Sequence, residues 1–335
     1  MKGLTDIEGI RVGHATDRDA VTGCTAILFE GGAVAGVDVR GSAVGEREFE
    51  PLRPGHIADR IHALLLAGGS AFGLEAAAGV MLYLEEQGVG FDVGVARVPI
   101  VPAAILFDLA IGDSRRRPDA EMGYRAAQAA RAERVEEGSV GAGTGATVGK
   151  LFGIKQATKG GVGTMTVELP GGIRLSALAV VNAFGDVRDP ATGQIIAGAR
   201  RASDSAEFAD TAAQMKAGVT KPGFGLPASG VAGQPAGVPS TTLAVVATNA
   251  ALDRVQATKL AGMAQNGLAR AIGPVHTMFD GDVVFGVSLG TKSADLNTLG
   301  TVAAEAVASA IVRAVREATS LGGVPALRDL AKPIR

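Results

Sequence analysis

A chain of 335 residues with 32 basic and 34 acidic side chains carries a net charge of −2, which gives no overall field to attract nucleic acid or an anionic membrane. Its 48 glycines, 4% aromatic content and lack of tryptophan exclude an aromatic stacking platform for single-stranded nucleic acid. The single Cys24 allows no internal disulfide, the amino terminus shows no signal-peptide pattern, and no run approaches the roughly 18 unbroken apolar residues of a membrane span, so a cytoplasmic protein without a membrane partner is expected.

The length suits one large domain or two ordinary ones. Two β-type runs, Thr25–Phe29 and Ala33–Arg40, stand on either side of a Gly-Gly pair. Cys24 lies at the start of the first and reads as a buried structural thiol. In Leu64–Gly88, Ser70 is placed to cap a helix over Ala71–Gln87 that Gly88 ends. That helix is apolar almost all round, so burial between layers is expected. Val98–Gly112 reads as a Pro-edged strand, and Arg115–Arg117 as a solvated turn. An amphipathic helix starts near Asp119 and ends before Gly138. Two adjacent strands joined around Pro170–Gly172 follow, the second buried, and then a polar helix at Ser203–Met215. From Gly218 to Pro239 the chain is thick with Gly and Pro, a loop of some twenty residues. A strand TTLAVVATN, a helix over about Asp253–Ile272, a strand at Asp282–Gly290 and an Ala-rich helix at about Thr298–Thr319 complete the chain. Strands and helices fall in separate blocks, an α+β pattern without internal repeat.

Several motifs fail on inspection. GAGTGATVGK lacks a phosphate loop's first Gly, with Thr144 in its place, and Leu151 stands where Ser or Thr must follow Lys150. His14, His56, His62 and His276 are scattered without metal-ligand spacing and read as structural or surface residues. Asp280 and Asp282 bracket a Gly, which on spacing alone is an Asp-Gly turn with a cap. No GxSxG elbow is present, so a hydrolase here would need a nucleophile activated without the usual histidine. The run Ser240-Thr241-Thr242 offers one. A cut before a hydroxyl residue leaves a terminal amine, of ordinary pKa near 8, beside that hydroxyl as its general base. The same run also fits a plain strand entrance, where β-branched Thr is at home.

Taken in order, GIRVGHAT, AVAGVDVRGSAVG, LLAGGSAFGLEAAAGV, VPIVPAAILFDL, GAGTGATVGK, LAVVNAFGDV, STTLAVVATNA and HTMFDGDVVFGVSLG resemble the DmpA-type family of N-terminal-nucleophile hydrolases over nearly the whole chain. That family includes L-aminopeptidase/D-Ala-esterases, β-aminopeptidases, a pantetheine hydrolase and nylon-oligomer hydrolases. The resemblance implies one four-layer αββα domain over residues 1–335, of the type shared with ornithine acetyltransferases. It further implies self-cleavage between Ser240 and Thr241 into pieces of 240 and 95 residues. Thr241 is then nucleophile and base together, and Asn182 matches the family's oxyanion Asn. Lys150 matches a lysine near the nucleophile in the nylon-oligomer branch. Asp280 and Asp282 match that branch's paired acids, expected to orient the terminal amine and hydroxyl. Ser240 stands where relatives carry Asn or Gly, which leaves a cut after Pro239, with Ser240 as nucleophile, as a second register. A family tyrosine near the substrate pocket falls on Arg117, with Tyr124 close by. The implied activity is aminopeptidase-like hydrolysis of small peptides or peptide-like amides, without metal or organic cofactor, by a homo-oligomer of processed chain pairs. Acyl transfer to an amine and a non-cleaving relative are the alternatives.

Overall fold

The computed structural model describes residues 1–220 and 239–330. In chain order its frame is built from strands β1 (Ile10–Asp17), β2 (Thr22–Gly41) and β3 (Ile61–Ala67), helix α1 (Ala76–Glu86), strand β4 (Ala103–Ile105) and helix α2 (Ala120–Gln128). The short strands β5 (Thr147–Val148) and β6 (Thr158–Lys159) come next, followed by the long strands β7 (Gly161–Leu169) and β8 (Ile173–Asn182). A short helix α3 (Thr211–Lys216) precedes strand β9 (Thr241–Ala250), helix α4 (Arg254–Ala271), strand β10 (Gly281–Lys292) and helix α5 (Leu296–Glu317).

Hydrogen-bonded neighbours run β7-β8-β9-β10-β2-β3-β4, with β1 also on β2. The 20-residue β2 belongs to two layers. Its first half, Cys24–Leu28, pairs with β1 and β3, and its second half, Val34–Gly41, pairs with β10. Between them the ladder to β3 shifts register from Leu28 to Ala33, spanning the Gly31-Gly32 pair. The two expected strands are therefore one, and the glycines bend it without ending it.

Alternation along the strands divides three cores. Ile27, Leu64, Leu178, Val180, Leu243, Val245, Val283 and Phe285 pack together between the two sheets. The other face of β7–β10 carries Ala177, Ala179, Ala244 and Val246 against α4 and α5. The other face of β2 and β3 carries Ala26, Leu28, Ala63 and Leu65 against α1 and α2. The order is helices, sheet, sheet, helices, the expected αββα sandwich. By length and composition α5 would span a membrane, but 67% of its apolar window is buried against the sheet, as in a core helix.

Local departures have local causes. Ser70 does not cap a helix: Ser70–Glu75 forms 3-10 turns, Ser70 has a positive φ of 56°, and its side chain makes no cap bond. The α-helix begins only at Ala76, and it is not buried all round, since Leu82 is half exposed. Of Val98–Gly112 only Val98, paired with Phe91, and Ala103–Ile105 lie in strands, Pro102 supplying no N–H just before the latter. The helix from Asp119, whose carboxylate does cap it, stops at Gln128, and the polar helix shrinks to Thr211–Lys216. Most of the Gly/Pro loop, residues 221–238, lies outside the described residues.

Helices α1 and α2 cross at two glycines. A Cβ on Gly123 would stand 1.8 Å from the Ala76 carbonyl oxygen, and one on Gly79 1.7 Å from that of Ala120. Gly123→Ala must push the helices apart. It is expected to cost about 1–3 kcal/mol, seen as a lower urea midpoint at unchanged slope.

Candidate active site

Thr241 opens β9 directly opposite Asn182, the last residue of β8. Paired residues on antiparallel strands share a face, here the intersheet face that also carries Leu243 and Val180. On the other side Ser240 forms a parallel bridge with Asp280, and β9 then runs parallel to β10 from Leu243 opposite Val283. Lys150 arrives just after β5. Its backbone N–H donates to the Phe184 carbonyl at 3.0 Å, and that of Gly149 donates to the Gly185 carbonyl at 3.0 Å. Thr241, Asn182, Lys150, Asp280, Asp282 and Ser240, all expected from the sequence, thus meet in one buried cluster, each at most 1% exposed.

A lysine cannot be buried so completely without partners. The Lys150 ammonium donates to the Asn182 carbonyl at 2.6 Å, to Asn182 Oδ1 at 2.8 Å and to Ser240 Oγ at 3.3 Å. The Thr147 N–H also donates to Asn182 Oδ1, at 3.0 Å. Two donors fix that atom as the oxygen, so the amide nitrogen is the group that donates to the Phe107 carbonyl at 3.0 Å. One amide N–H of Asn182 is therefore committed to Phe107.

The Ser240–Thr241 peptide is held from both sides. The Ser240 N–H donates to the Phe279 carbonyl at 2.8 Å, and the Ser240 carbonyl accepts from the Gly281 N–H at 2.8 Å. The same carbonyl accepts from Thr241 Oγ1 at 2.6 Å. Two donors on one carbonyl oxygen polarise it and favour charge developing there.

The paired acids bond chiefly to backbone groups around Thr241. Asp282 has the parity of Val284, on the helix-facing side of the sheet, whereas Thr241 has that of Leu243. Its Oδ1 accepts the Thr242 N–H at 2.7 Å, and its Oδ2 accepts from the His276 N–H at 3.2 Å and stands 2.8 Å from His276 Nδ1. Asp280 accepts the Phe184 N–H at 3.1 Å, the Thr277 N–H at 3.0 Å and the Thr277 hydroxyl at 2.7 Å. Neither carboxylate bonds to the Thr241 hydroxyl; they hold the backbone around it. Burial, and next the neighbouring Asp282, push Asp280 up to about 6, against the hydrogen bonds from Thr277 and Phe184.

His276 was read as structural or surface, yet it sits on Asp282 with Nε2 buried and without a hydrogen-bond partner among the described residues. Its signal in the sequence was nearness, six residues before Asp282. The remaining histidines keep their structural reading: His14 Nδ1 meets Thr25 Oγ1 at 2.9 Å, His56 Nδ1 accepts the Ala58 N–H at 3.1 Å, and His62 Nδ1 accepts the Ile100 N–H at 3.0 Å. Burial pushes the Cys24 thiol up to about 12, in keeping with an inert core cysteine. Arg117 stacks over Phe72 at 3.9 Å and Tyr124 donates to Glu86 at 2.7 Å, so neither is bonded to the cluster.

Asp280 supplies a pH test. A carboxyl whose folded pKa is raised contributes stability that is full below the unfolded value, 3.8, and lost as pH rises through about 6. Asp280→Asn does not titrate, so the stability gap between wild type and variant should be widest at about pH 4 and narrow by about pH 7 in urea unfolding. A constant gap would contradict the raised pKa.

Comparison with known proteins extends over the same frame. The model of peptidase family S58 matches residues 2–327. An uncharacterized aminopeptidase of Mycobacterium tuberculosis is 39% identical over 360 aligned positions, covering 98% of both chains. A 6-aminohexanoate-oligomer endohydrolase of Kocuria sp. is 29% identical over 93% of this chain and 85% of that one. Among solved structures, a β-aminopeptidase of Burkholderia sp. superposes with a TM-score of 0.68 at 22% identity, over 99% of this chain and 95% of the other. The L-aminopeptidase D-Ala-esterase/amidase of Ochrobactrum anthropi, a variant of the Ntn-hydrolase fold, gives 0.70 at 20% identity, over 97% and 88%. At such identities the two structures speak for the fold, which is the Ntn-hydrolase-like fold of the DmpA type.

Proposed function

This chain belongs to peptidase family S58, and on that premise we propose that it is a self-cleaving amide hydrolase whose nucleophile is Thr241. The observation that carries the reading is the Ser240 carbonyl, bonded at once by the Thr241 hydroxyl and the Gly281 N–H inside a buried polar cluster. In self-cleavage Thr241 Oγ1 attacks that carbonyl carbon. A C–O bond forms, the C–N bond to Thr241 breaks, and the hydroxyl proton passes to the departing nitrogen. Water then hydrolyses the ester, leaving a Ser240 carboxylate and a free Thr241 amine. The Gly281 N–H is placed to stabilise the charge that develops on the carbonyl oxygen.

In turnover the freed amine takes the proton of the Thr241 hydroxyl as it attacks a substrate amide, then returns it to the leaving amine. The acyl group left on Thr241 as an ester is released by water. Asn182, opposite Thr241, supplies an amide donor for the oxyanion, an interaction worth about 3–4 kcal/mol in enzymes of this kind. A nearby Lys150 ammonium lowers the pKa of the new amine and keeps more of it neutral. Asp280 and Asp282 hold the backbone on which that amine is exposed. The substrates of this reading are small peptides or peptide-like amides acted on at their amino-terminal acyl residue, and the working form is a homo-oligomer of processed pairs in the cytoplasm. The unusual Ser240 fits this geometry, because its hydroxyl accepts from Lys150.

Mass spectrometry and amino-terminal sequencing test the proposal. Wild-type protein is expected to yield chains of 240 and 95 residues, the second beginning at Thr241. Thr241→Ala is expected to remain intact and to lose amide hydrolysis by at least about 1,000-fold. A wild-type chain that stays whole and inactive after long incubation overturns the proposal. A new terminus at Ser240 moves the nucleophile by one residue.

A further inference from the structure

We propose that Lys159 is a positioning residue of the active site, its ammonium locking the turn Thr144–Ala146 and, through it, the Thr147 N–H that orients the Asn182 carboxamide. This rests on the reading of Asn182 as the oxyanion donor. Lys159 lies on β6 directly opposite Thr147 of β5 and is fully buried. Its Nζ donates to the Thr144 carbonyl at 2.6 Å and to the Ala146 carbonyl at 2.8 Å. A buried ammonium is costly, and a side chain needed only for packing would be apolar, so the two hydrogen bonds are what the charge is there to make.

The carbonyls it holds end one residue before Thr147. The turn cannot shift without carrying the Thr147 N–H away from Asn182 Oδ1, 3.0 Å distant. The other end of the carboxamide is fixed in a matching way. Asn182 Nδ2 donates to the Phe107 carbonyl, and the next residue, Asp108, is buried with Oδ1 on the Gly69 N–H at 2.7 Å and Oδ2 on the Thr22 hydroxyl at 2.7 Å. The two supports touch. A Cβ on Gly145, in the middle of the turn, would stand 2.5 Å from Asp108 Cβ. Burial pulls Lys159 down to about 7, while the charge of Asp108 favours the ammonium. Asn182 is thus clamped between two backbone groups, each seated by one buried charge. A carboxamide has two near-equivalent orientations, and displacing Thr147 weakens both its N–H and its hydroxyl contact, at 3.0 and 3.5 Å, and leaves mainly Lys150 to enforce the right one on the Oδ1 side. Misplacement of a catalytic group by about 1 Å costs on the order of a hundredfold in rate.

The test is a four-protein cycle of wild type, Lys159→Met, Asn182→Ala and the double variant, assayed as amide hydrolysis per mole of cleaved chain counted by mass spectrometry. Lys159→Met is expected to lower kcat by about 10- to 100-fold with KM within about twofold. On the Asn182→Ala background the same change is expected to cost less than about twofold, because its effect passes through Asn182. Lys159→Gln, which keeps an N–H donor, should fall between wild type and Lys159→Met. An equal loss on both backgrounds overturns the proposal and leaves Lys159 as scaffold. Asn182→Ala turning over at the wild-type rate instead removes the underlying reading, and the proposal with it. If Lys159→Met does not fold, the cycle is run with Lys159→Gln. If Lys159→Met folds but is cut too slowly to give enough processed chain, the first-order cleavage rate replaces kcat in the same cycle.

Discussion

The antiparallel ladder between β8 and β9, from Leu175 opposite Thr248 to Asn182 opposite Thr241, is the constraint on which the site depends. Each strand is buried on both faces, so a slip of one residue would exchange the contents of two cores at once. Such a slip would also turn the Thr241 hydroxyl from the intersheet side to the helix side and replace its partner across the ladder. The parallel ladder to β10 adds a second fixed coordinate, setting Asp280 beside Ser240 and Asp282 beside Thr242. The buried polar cluster sits where both ladders end, and there side chains of both parities and the backbone itself converge.

That convergence is polar and dry, and both properties need explaining together. Two lysines and three aspartates, Lys150, Lys159, Asp108, Asp280 and Asp282, are almost wholly buried in or beside the cluster. Few of their partners are opposite charges. Among the described residues most are backbone groups, carbonyls for the lysines and N–H groups for the aspartates, joined by neutral side chains such as Asn182, Ser240, Thr22 and Thr277. Replacing such residues with apolar ones of equal volume need not weaken a fold. Their presence is better accounted for by what they hold still, since a charge-assisted bond fixes a backbone group more firmly than packing does. On the proposed reading Thr241 and Asn182 are the chemically forward groups of this cluster and most of the remainder is alignment.

The sequence carried the side chains of this arrangement better than it carried their tasks. Thr241, Asn182, Lys150, Asp280 and Asp282 were legible because they stand in ordered motifs that resemble a family, and the αββα frame through that same resemblance, the strands and helices by themselves giving only an α+β pattern. The Thr147 N–H, the Phe107 carbonyl and the Gly281 N–H left no trace, since a backbone group has no residue type to betray it. Lys159 and His276 were visible as letters, but only the folded chain brings one to the Thr144–Ala146 turn and the other to Asp282. Element lengths failed where tertiary contact overrides local preference. β2 runs through its Gly-Gly pair because both halves find partners, and α1 starts late because Ser70 is used in a turn of positive φ.

Burial also orders the events of the proposed reaction. With Thr241 1% exposed and Asn182 sealed, no substrate meets the nucleophile while the Ser240–Thr241 bond stands. Cleavage alone does not open the way, because Ser240 remains paired to Phe279 and Gly281 through its own N–H and carbonyl. Two such bonds contribute only about 1–3 kcal/mol net. The cut replaces a neutral amide with a carboxylate and an amine side by side, and the carboxylate gains from water what it loses by leaving the Gly281 N–H. Departure of Ser240 then breaks its bonds to the Phe279 carbonyl, the Gly281 N–H and the Lys150 ammonium in one step. On the proposed reading, a substrate amide takes the place of the Ser240 peptide group beside the Gly281 N–H. Self-cleavage on this reading does more than make the nucleophile: it empties a space already shaped by a peptide.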